Sequence, residues 1–257
     1  MTQNNLFDLS GRIALVTGAS GELGRQFASA LAKAGAAVLL AGRRQDALAE
    51  VRAGIERAGG RAEALVVDVT REDVVASALQ KAARGLGLPD ILINNAGTAS
   101  SKLATDLTEA DWDKVMNVNL RGAFLVAQGF ARARIAAGGG GAIVNIASIT
   151  GLTAPQAVAP YAISKAAVIQ MTRVLAREWA RHSIRVNALC PGYFESDMTT
   201  DYLKTPGGQR MVQAIPMRRI GNPGELDGAL LLLASDAGSY MTGTTIVLDG
   251  GQTLVTP

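Results

Sequence analysis

The sequence predicts a single α/β domain, a doubly wound parallel sheet with helices on both faces, and three observations carry this. Short apolar runs without internal alternation recur along the chain, as strands buried on both faces require. Each run is separated from the next by a segment of helical period. The turns that follow several of these runs are rich in glycine and asparagine, at the carboxyl ends of strands, where open α/β sheets bind ligands. No linker-like tract divides the 257 residues, so one domain is expected over 1–257.

Ile13-Ala14-Leu15-Val16 is the first run, and Thr17 to Gly24 follows as a glycine-rich turn. Phe27, Ala30, Leu31 and Ala34 then recur at helical spacing up to Gly35. Val38 to Ala41 is the second strand, and a helix from Asp46 to Ala58 stops at Gly59-Gly60. Ala64 to Val67 is the third, closed by Asp68-Val69-Thr70, with a helix from Glu72 to Ala83 after it. Ile91-Leu92-Ile93 runs into Asn94-Asn95-Ala96-Gly97, and a long helix is expected from Ala110 to Ala137. Four glycines at 138–141 end it. The fifth strand holds Ala142-Ile143-Val144 and places Ser148 at its C-terminal end. Pro160 opens a helix from Tyr161 to about Arg181, as first-turn prolines do. Ile184 to Leu189 is the sixth strand, ended by Cys190-Pro191-Gly192. Residues 193–217 read as irregular, Glu225 to Ala234 as helix, and Thr245 to Leu248 as the last strand before Asp249-Gly250-Gly251.

Composition removes several function classes. One cysteine, Cys190, rules out an internal disulfide framework and fits a reducing compartment. With the single His182 it leaves no Cys/His cluster for zinc, and no acidic spacing suggests another metal. No apolar run approaches the roughly 18–20 residues that cross a bilayer. Met1 to Asp8 is polar, without the pattern of a signal peptide. The net charge of +3 is small and its basic residues are dispersed, against the clustering of a nucleic-acid footprint. The expectation is a cytoplasmic protein with a small-molecule partner and neither nucleic acid nor membrane.

Thr17–Gly24 lies between the first strand and first helix, where a dinucleotide pyrophosphate would sit. Gly18, Gly21 and Gly24 permit a tight turn and close backbone approach, and the helix N-terminus favours negative charge. The spacing is Gly-x-x-Gly-x-x-Gly, and a purely structural turn would also satisfy it. After the second strand the chain reads Gly42-Arg43-Arg44. The carboxylate that would hold an adenosine 2′-hydroxyl is absent, and two guanidinium groups can clamp a 2′-phosphate unless they form only a solvated turn. NADP(H) is therefore expected in preference to NAD(H).

Tyr161 and Lys165 stand at i and i+4 on one helix face, thirteen residues beyond Ser148. A nearby ammonium favours the phenolate and brings tyrosine acid/base chemistry nearer neutrality. Taken alone, such a pair is an ordinary feature of a helix surface.

The whole set of motifs resembles the classical short-chain dehydrogenase/reductase family, from Gly11 to Gly251. The residues that carry the resemblance are the glycine turn, Asp68-Val69, Asn94-Asn95-Ala96-Gly97, Asn117-Val118-Asn119, Ser148, Tyr161-x-x-x-Lys165, Pro191-Gly192 and Asp249-Gly250-Gly251. It implies a Rossmann-type fold and the following roles. Tyr161 would be the general acid/base, and Lys165 would lower its pKa and bond the nicotinamide ribose. Ser148 would orient the substrate oxygen, and Asn119 would hold a water linking Lys165 to solvent. Gly18, Ser20, Gly21 and Leu23 would line the phosphates, Arg43 and Arg44 the 2′-phosphate, and Asp68 and Val69 the adenine. Asn95, Ala96 and Gly97 would flank the adenosine, and Pro191, Gly192, Phe194 and Ser196 the nicotinamide and its phosphates. One departure stands out: Glu22 occupies a position where the family has glycine, with Gly21 one place early.

The resemblance further implies a substrate flap at about 193–217 and a homotetramer built on the helices near 110–137 and 161–181 and the last strand. Ala166, Ala167, Ile169, Val174 and Trp179 supply an apolar face for this, or belong to the core. The expected reaction is hydride transfer between NADP(H) and a ketone or secondary alcohol in a small, sugar-acid-like compound. One alternative is a 3-oxoacyl thioester (acyl-carrier-protein) reductase, with Arg132, Arg134 and Arg181 as docking charges. Another is a non-catalytic dinucleotide-binding regulator.

Overall fold

The computed structural model describes residues 6–195 and 197–255. Seven parallel strands form one sheet: β1 (Ile13–Thr17), β2 (Ala37–Gly42), β3 (Arg61–Val66), β4 (Ile91–Asn94), β5 (Gly141–Ile146), β6 (Ile184–Pro191) and β7 (Thr245–Leu248). Their order across the sheet is β3-β2-β1-β4-β5-β6-β7. The apolar strands are the reason for the layering. Ala14, Val16, Val38 and Leu40 face one way and Leu15, Leu39, Leu92 and Ile143 the other, so both faces must be covered.

The helices divide between these faces. Phe27 and Leu31 of α1 (Glu22–Lys33), Leu48, Val51 and Ile55 of α2 (Gln45–Arg57), and Leu230 and Leu233 of α9 (Asp227–Ala234) fill one side. Val75 and Leu79 of α3 (Glu72–Arg84), Val126 and Phe130 of α5 (Ala123–Ala136), and Leu175 of α6 (Ala159–Trp179) fill the other. Each buried leucine, valine or phenylalanine contributes about 1.5–3 kcal/mol of transfer free energy. Ile169 and Trp179, two of the residues placed on a candidate assembly face, pack instead into or against this interior.

Three stretches differ from the sequence expectation. The long helix is α4 (Glu109–Met116), a π-helical turn at Asn117–Gly122, and then α5. The fifth strand ends at Ile146, so Ser148 stands two residues beyond it, at the cap of a short 3₁₀ turn. Within 193–217 there are two helices, α7 (Asp197–Leu203) and α8 (Pro206–Ala214). Thr205 caps α8 by accepting the Gly208 N–H at 3.1 Å, and Pro206 follows in its first turn.

Candidate active site

The strand order reverses between β1 and β4, and a cleft of about 840 Å³ opens beside the ends of these strands. A smaller cleft of about 530 Å³ lies along edge strand β3, but no glycine turn or acid/base pair enters it.

β1 delivers the glycine turn into the larger cleft. Gly18 has φ +65°, and a Cβ there would meet the Ala96 backbone at 2.9 Å. A Cβ on Gly24 would run into the Gly18 carbonyl. These two glycines are required by the packing of the turn. A Cβ on Gly21 would meet nothing nearer than 3.5 Å, so this edge stays open to a ligand. Gly21 is also the N-cap of α1 and gives it no side-chain hydrogen bond, which leaves the first-turn N–H groups for an anion. Asn95 braces the turn from β4, donating through Nδ2 to the Thr17 carbonyl at 3.0 Å and the Gly18 carbonyl at 3.3 Å. Thr17 Oγ1 accepts the Asn95 and Ala96 N–H groups at 3.0 and 3.1 Å. Glu22 is the exposed first residue of α1, at the cleft rim, where the helix field favours a carboxylate.

At the arm formed by the ends of β2 and β3, Asp68 accepts the Thr70 N–H at 3.0 Å and the Thr70 hydroxyl at 2.8 Å. These bonds, with the Arg43 guanidinium acting the same way, hold its carboxyl below the ordinary range. Arg44 donates through Nη2 to the Ser20 carbonyl at 3.1 Å, and Arg43 and Arg44 are both exposed in the cleft wall. Leu23, Val69, Ala96 and Gly97 also line this cleft. So do Thr98, Lys114, Asn117, Val118 and Arg121, to which no role was assigned from the sequence. Asn117 and Val118 sit beside Asn119, a signal within reach. Lys114 and Arg121 arrive only by tertiary packing.

The other arm gathers Ser148, Tyr161 and Lys165. Lys165 is 5% exposed, and its Nζ donates to the Ile146 carbonyl at 2.7 Å, 5.5 Å from the Tyr161 ring centre. Burial lowers the amine to about 8. Burial likewise pushes the Tyr161 phenol up, and the neighbouring Ser148 hydroxyl partly opposes it. Both groups lean toward neutrality, and burial is the largest cause for each. Asn119 is buried and its side chain makes three hydrogen bonds: Oδ1 accepts the Thr98 N–H at 2.8 Å, and Nδ2 donates to the Thr98 carbonyl at 2.9 Å and Ser164 Oγ at 3.0 Å. Ser164, missed in the sequence, passes this on to the Tyr161 carbonyl at 2.7 Å.

The β6 end closes the cleft. Gly192 N–H donates to the Leu248 carbonyl at 2.8 Å, and a Cβ at Gly192 would meet Asp249 at 2.7 Å. Pro191 and Phe194 line the wall, Phe194 being largely buried. Ser196 lies outside the described residues. The buried Cys190 thiol is pushed up to about 11 by burial, which leaves it protonated and unreactive. The cleft therefore joins an open glycine turn and a basic wall at one arm to a phenol, a hydroxyl and an amine at the other. Such a set can move a proton to or from an oxygen on a bound carbon compound.

A family model described as enoyl-(acyl carrier protein) reductase matches residues 18–253. Gluconate 5-dehydrogenase of Gluconobacter oxydans is 39% identical, over 99% of each chain. The L-tagatose-forming galactitol 2-dehydrogenase of Cereibacter sphaeroides is also 39% identical, over 99% of this chain and 100% of that one. The crystal structure of a gluconate 5-dehydrogenase from Burkholderia cenocepacia, in complex with NADP and tartrate, superposes with a TM-score of 0.93 at 36% identity, covering 98% of both chains. The chain belongs to the classical short-chain dehydrogenase/reductase family. As a short-chain dehydrogenase/reductase it is an oxidoreductase acting on CH–OH and C=O groups, built on a Rossmann-type sheet.

Proposed function

We propose that this short-chain dehydrogenase/reductase interconverts a ketone and a secondary alcohol in a small hydroxylated compound of the sugar-acid or polyol kind, with NADP(H). The observation that carries the reaction is the convergence of Tyr161, Ser148 and Lys165 at one arm of the cleft whose other arm suits a dinucleotide. When bound, the nicotinamide supplies or accepts the hydride. Tyr161 gives its proton to the carbonyl oxygen in reduction and takes the hydroxyl proton in oxidation, and Ser148 beside it orients that oxygen. Lys165 holds the nicotinamide ribose and resupplies the Tyr161 proton. Asn119 serves by tying the Thr98 turn to α6 through Ser164.

The open Gly21 edge and the α1 N-terminus suit the pyrophosphate, and Arg43 and Arg44 suit a 2′-phosphate. The NADP held by the Burkholderia relative supports the same preference. The substrate class rests on the sugar-acid and polyol dehydrogenases among its relatives. A carrier-protein thioester is less well supported: Arg134 is used to cap the glycine loop at the Gly140 carbonyl, 2.7 Å away, and Arg132 faces Glu72 at 3.9 Å. The assembly we infer is a homotetramer.

The test is a panel of keto acids, keto sugars, plain ketones and a 3-oxoacyl thioester, each read with NADPH and NADH. Highest kcat/KM is expected for a polyhydroxylated ketone with NADPH. Equal or better use of NADH would refute the cofactor assignment, and preference for the thioester the substrate assignment. Tyr161→Phe should abolish turnover and leave NADP(H) affinity largely intact; surviving activity would remove Tyr161 as the acid.

A further inference from the structure

Resting on that reading, we propose that Gly151 is a positioning residue, whose missing side chain seats the Ser148 turn directly on the α6 backbone and so sets the spacing of Ser148, Tyr161 and Lys165. The three side chains come from two elements. Ser148 caps the 3₁₀ turn Ile149–Gly151, whereas Tyr161 and Lys165 belong to α6. The loop that joins them begins with the exposed Leu152, Thr153 and Ala154, so it does not fix their separation. Packing of the turn on the helix does.

That packing is a contact between backbones. A Cβ on Gly151 would meet the Ala166 nitrogen and the Lys165 carbonyl carbon at 2.7 Å, and the Lys165 oxygen at 3.0 Å. Both residues lie inside α6, so no side-chain rotation relieves the overlap. Gly151 lies outside the left-handed region, and space alone requires glycine there. Nor can the turn absorb the push. Gly151 N–H donates to the Ser148 carbonyl at 3.1 Å, Thr150 N–H to Ser148 Oγ at 3.2 Å, and Thr153 Oγ1 to the Ile149 carbonyl at 3.0 Å. Ile149 is buried and anchors the turn. From the other side, Lys165 Nζ is tied to the Ile146 carbonyl at 2.7 Å, two residues before Ser148. Restoring an ordinary contact of about 3.5 Å would move turn and helix apart by about 0.8 Å, and Ser148 would move with the turn.

Gly151→Ala adds one methyl group at a backbone conformation open to alanine. The alcohol that corresponds to the most active ketone of the panel is oxidised at saturating NADP⁺, and kcat is followed across pH. kcat should fall roughly ten- to hundredfold, the cost of a misplacement approaching about 1 Å. The rising limb of the profile should move to higher pH, because a Ser148 hydroxyl drawn away from Tyr161 no longer favours the phenolate. Gly151 does not line the cleft, so NADP(H) binding, followed by fluorescence, should be largely unchanged and reports a folded variant. A wild-type kcat, or a lowered kcat with an unmoved profile, overturns the role, however far the unfolding temperature falls. Should Gly151→Ala fail to bind cofactor, Thr153→Val carries the test: it is exposed, nearly isosteric, and removes only the Oγ1 bond that stiffens the turn. Its kcat should then fall roughly threefold, with the limb displaced in the same direction; an unaltered kcat or limb overturns the role. A wild type idle on the whole panel refutes the reaction reading and this role with it, whereas an active wild type matched by its variant refutes the role alone.

Discussion

Lys165 carries a conflict between stability and chemistry in one side chain. Among the described residues it is buried with a single carbonyl partner, and its amine is held at about 8 rather than 10.5. Between those two values the unfolded chain binds more protons than the folded one, so stability rises with pH there. Below about 8 the full cost of a buried ammonium applies, about 3 kcal/mol from the gap. Lys165→Met removes that cost but strands the Ile146 carbonyl, which takes back about 1–2 kcal/mol. The variant should therefore unfold a few degrees higher than wild type between pH 6 and 8, and the difference should shrink toward pH 10. Turnover should be lost. Scanning calorimetry across this range checks it, and a variant less stable than wild type at pH 7 would show that the amine is not strained by burial. The pairing of Tyr161 with Lys165 was legible as a spacing. Which force dominates the pair was not, because burial is a property of the packed fold.

The region around Asn119 shows the same division at the scale of an element. Helical periodicity from 110 to 137 was legible, but the π-helical turn at Asn117–Gly122 was not, since tertiary hydrogen bonds set it. Asn94 Nδ2 donates to the Ala123 carbonyl at 3.0 Å, and Asn119 is held by Thr98 and Ser164. Gly122 lies so close to Val69 that a Cβ would meet Cγ2 at 2.8 Å, which ties the same turn to the cleft wall beyond β3. Extra turns of this kind recur at functional sites in helices. Removing Ser164 tests whether the link matters to the chemistry. Ser164→Ala leaves one Asn119 donor unpaired in the interior, at a cost of about 1–3 kcal/mol. If Asn119 positions α6 against the cleft, kcat should fall roughly tenfold, with a displaced pH profile and near-normal NADP(H) affinity, an effect of about 1.4 kcal/mol on the barrier. A purely structural serine would lower the unfolding temperature and leave kcat and its pH profile alone. The two short helices in 193–217 were missed for a different reason: each is two turns or so, too short for periodicity to declare, although Thr205-Pro206 was a readable start signal.

At the scale of the molecule, the sheet leaves surfaces that one chain does not cover. β7 is an edge strand whose residues are only partly buried, and Tyr240 and Leu254 near it are almost wholly exposed. A second set lies on the helical face, where Trp112 of α4, Phe124 of α5, and Ile163 and Val174 of α6 are each more than a third exposed. Edge strands and contiguous apolar faces favour association, and two distinct self-complementary patches related by two-folds build a closed tetramer. The proposed homotetramer therefore needs both surfaces. Light scattering at micromolar concentration should give four times the 26.6 kDa chain mass. Val174→Asp places a carboxylate on the helical patch; exposed in the single chain, it should change the stability of the fold by no more than about 0.5 kcal/mol. Near a two-fold the new charge faces its own copy, an uncompensated repulsion of several kcal/mol in a desolvated interface. The variant should run at half the wild-type mass, with the β7 contact intact and the dinucleotide cleft still able to bind NADP(H). A wild-type monomer would refute the assembly outright, and an unchanged tetramer in Val174→Asp would move the interface away from α6.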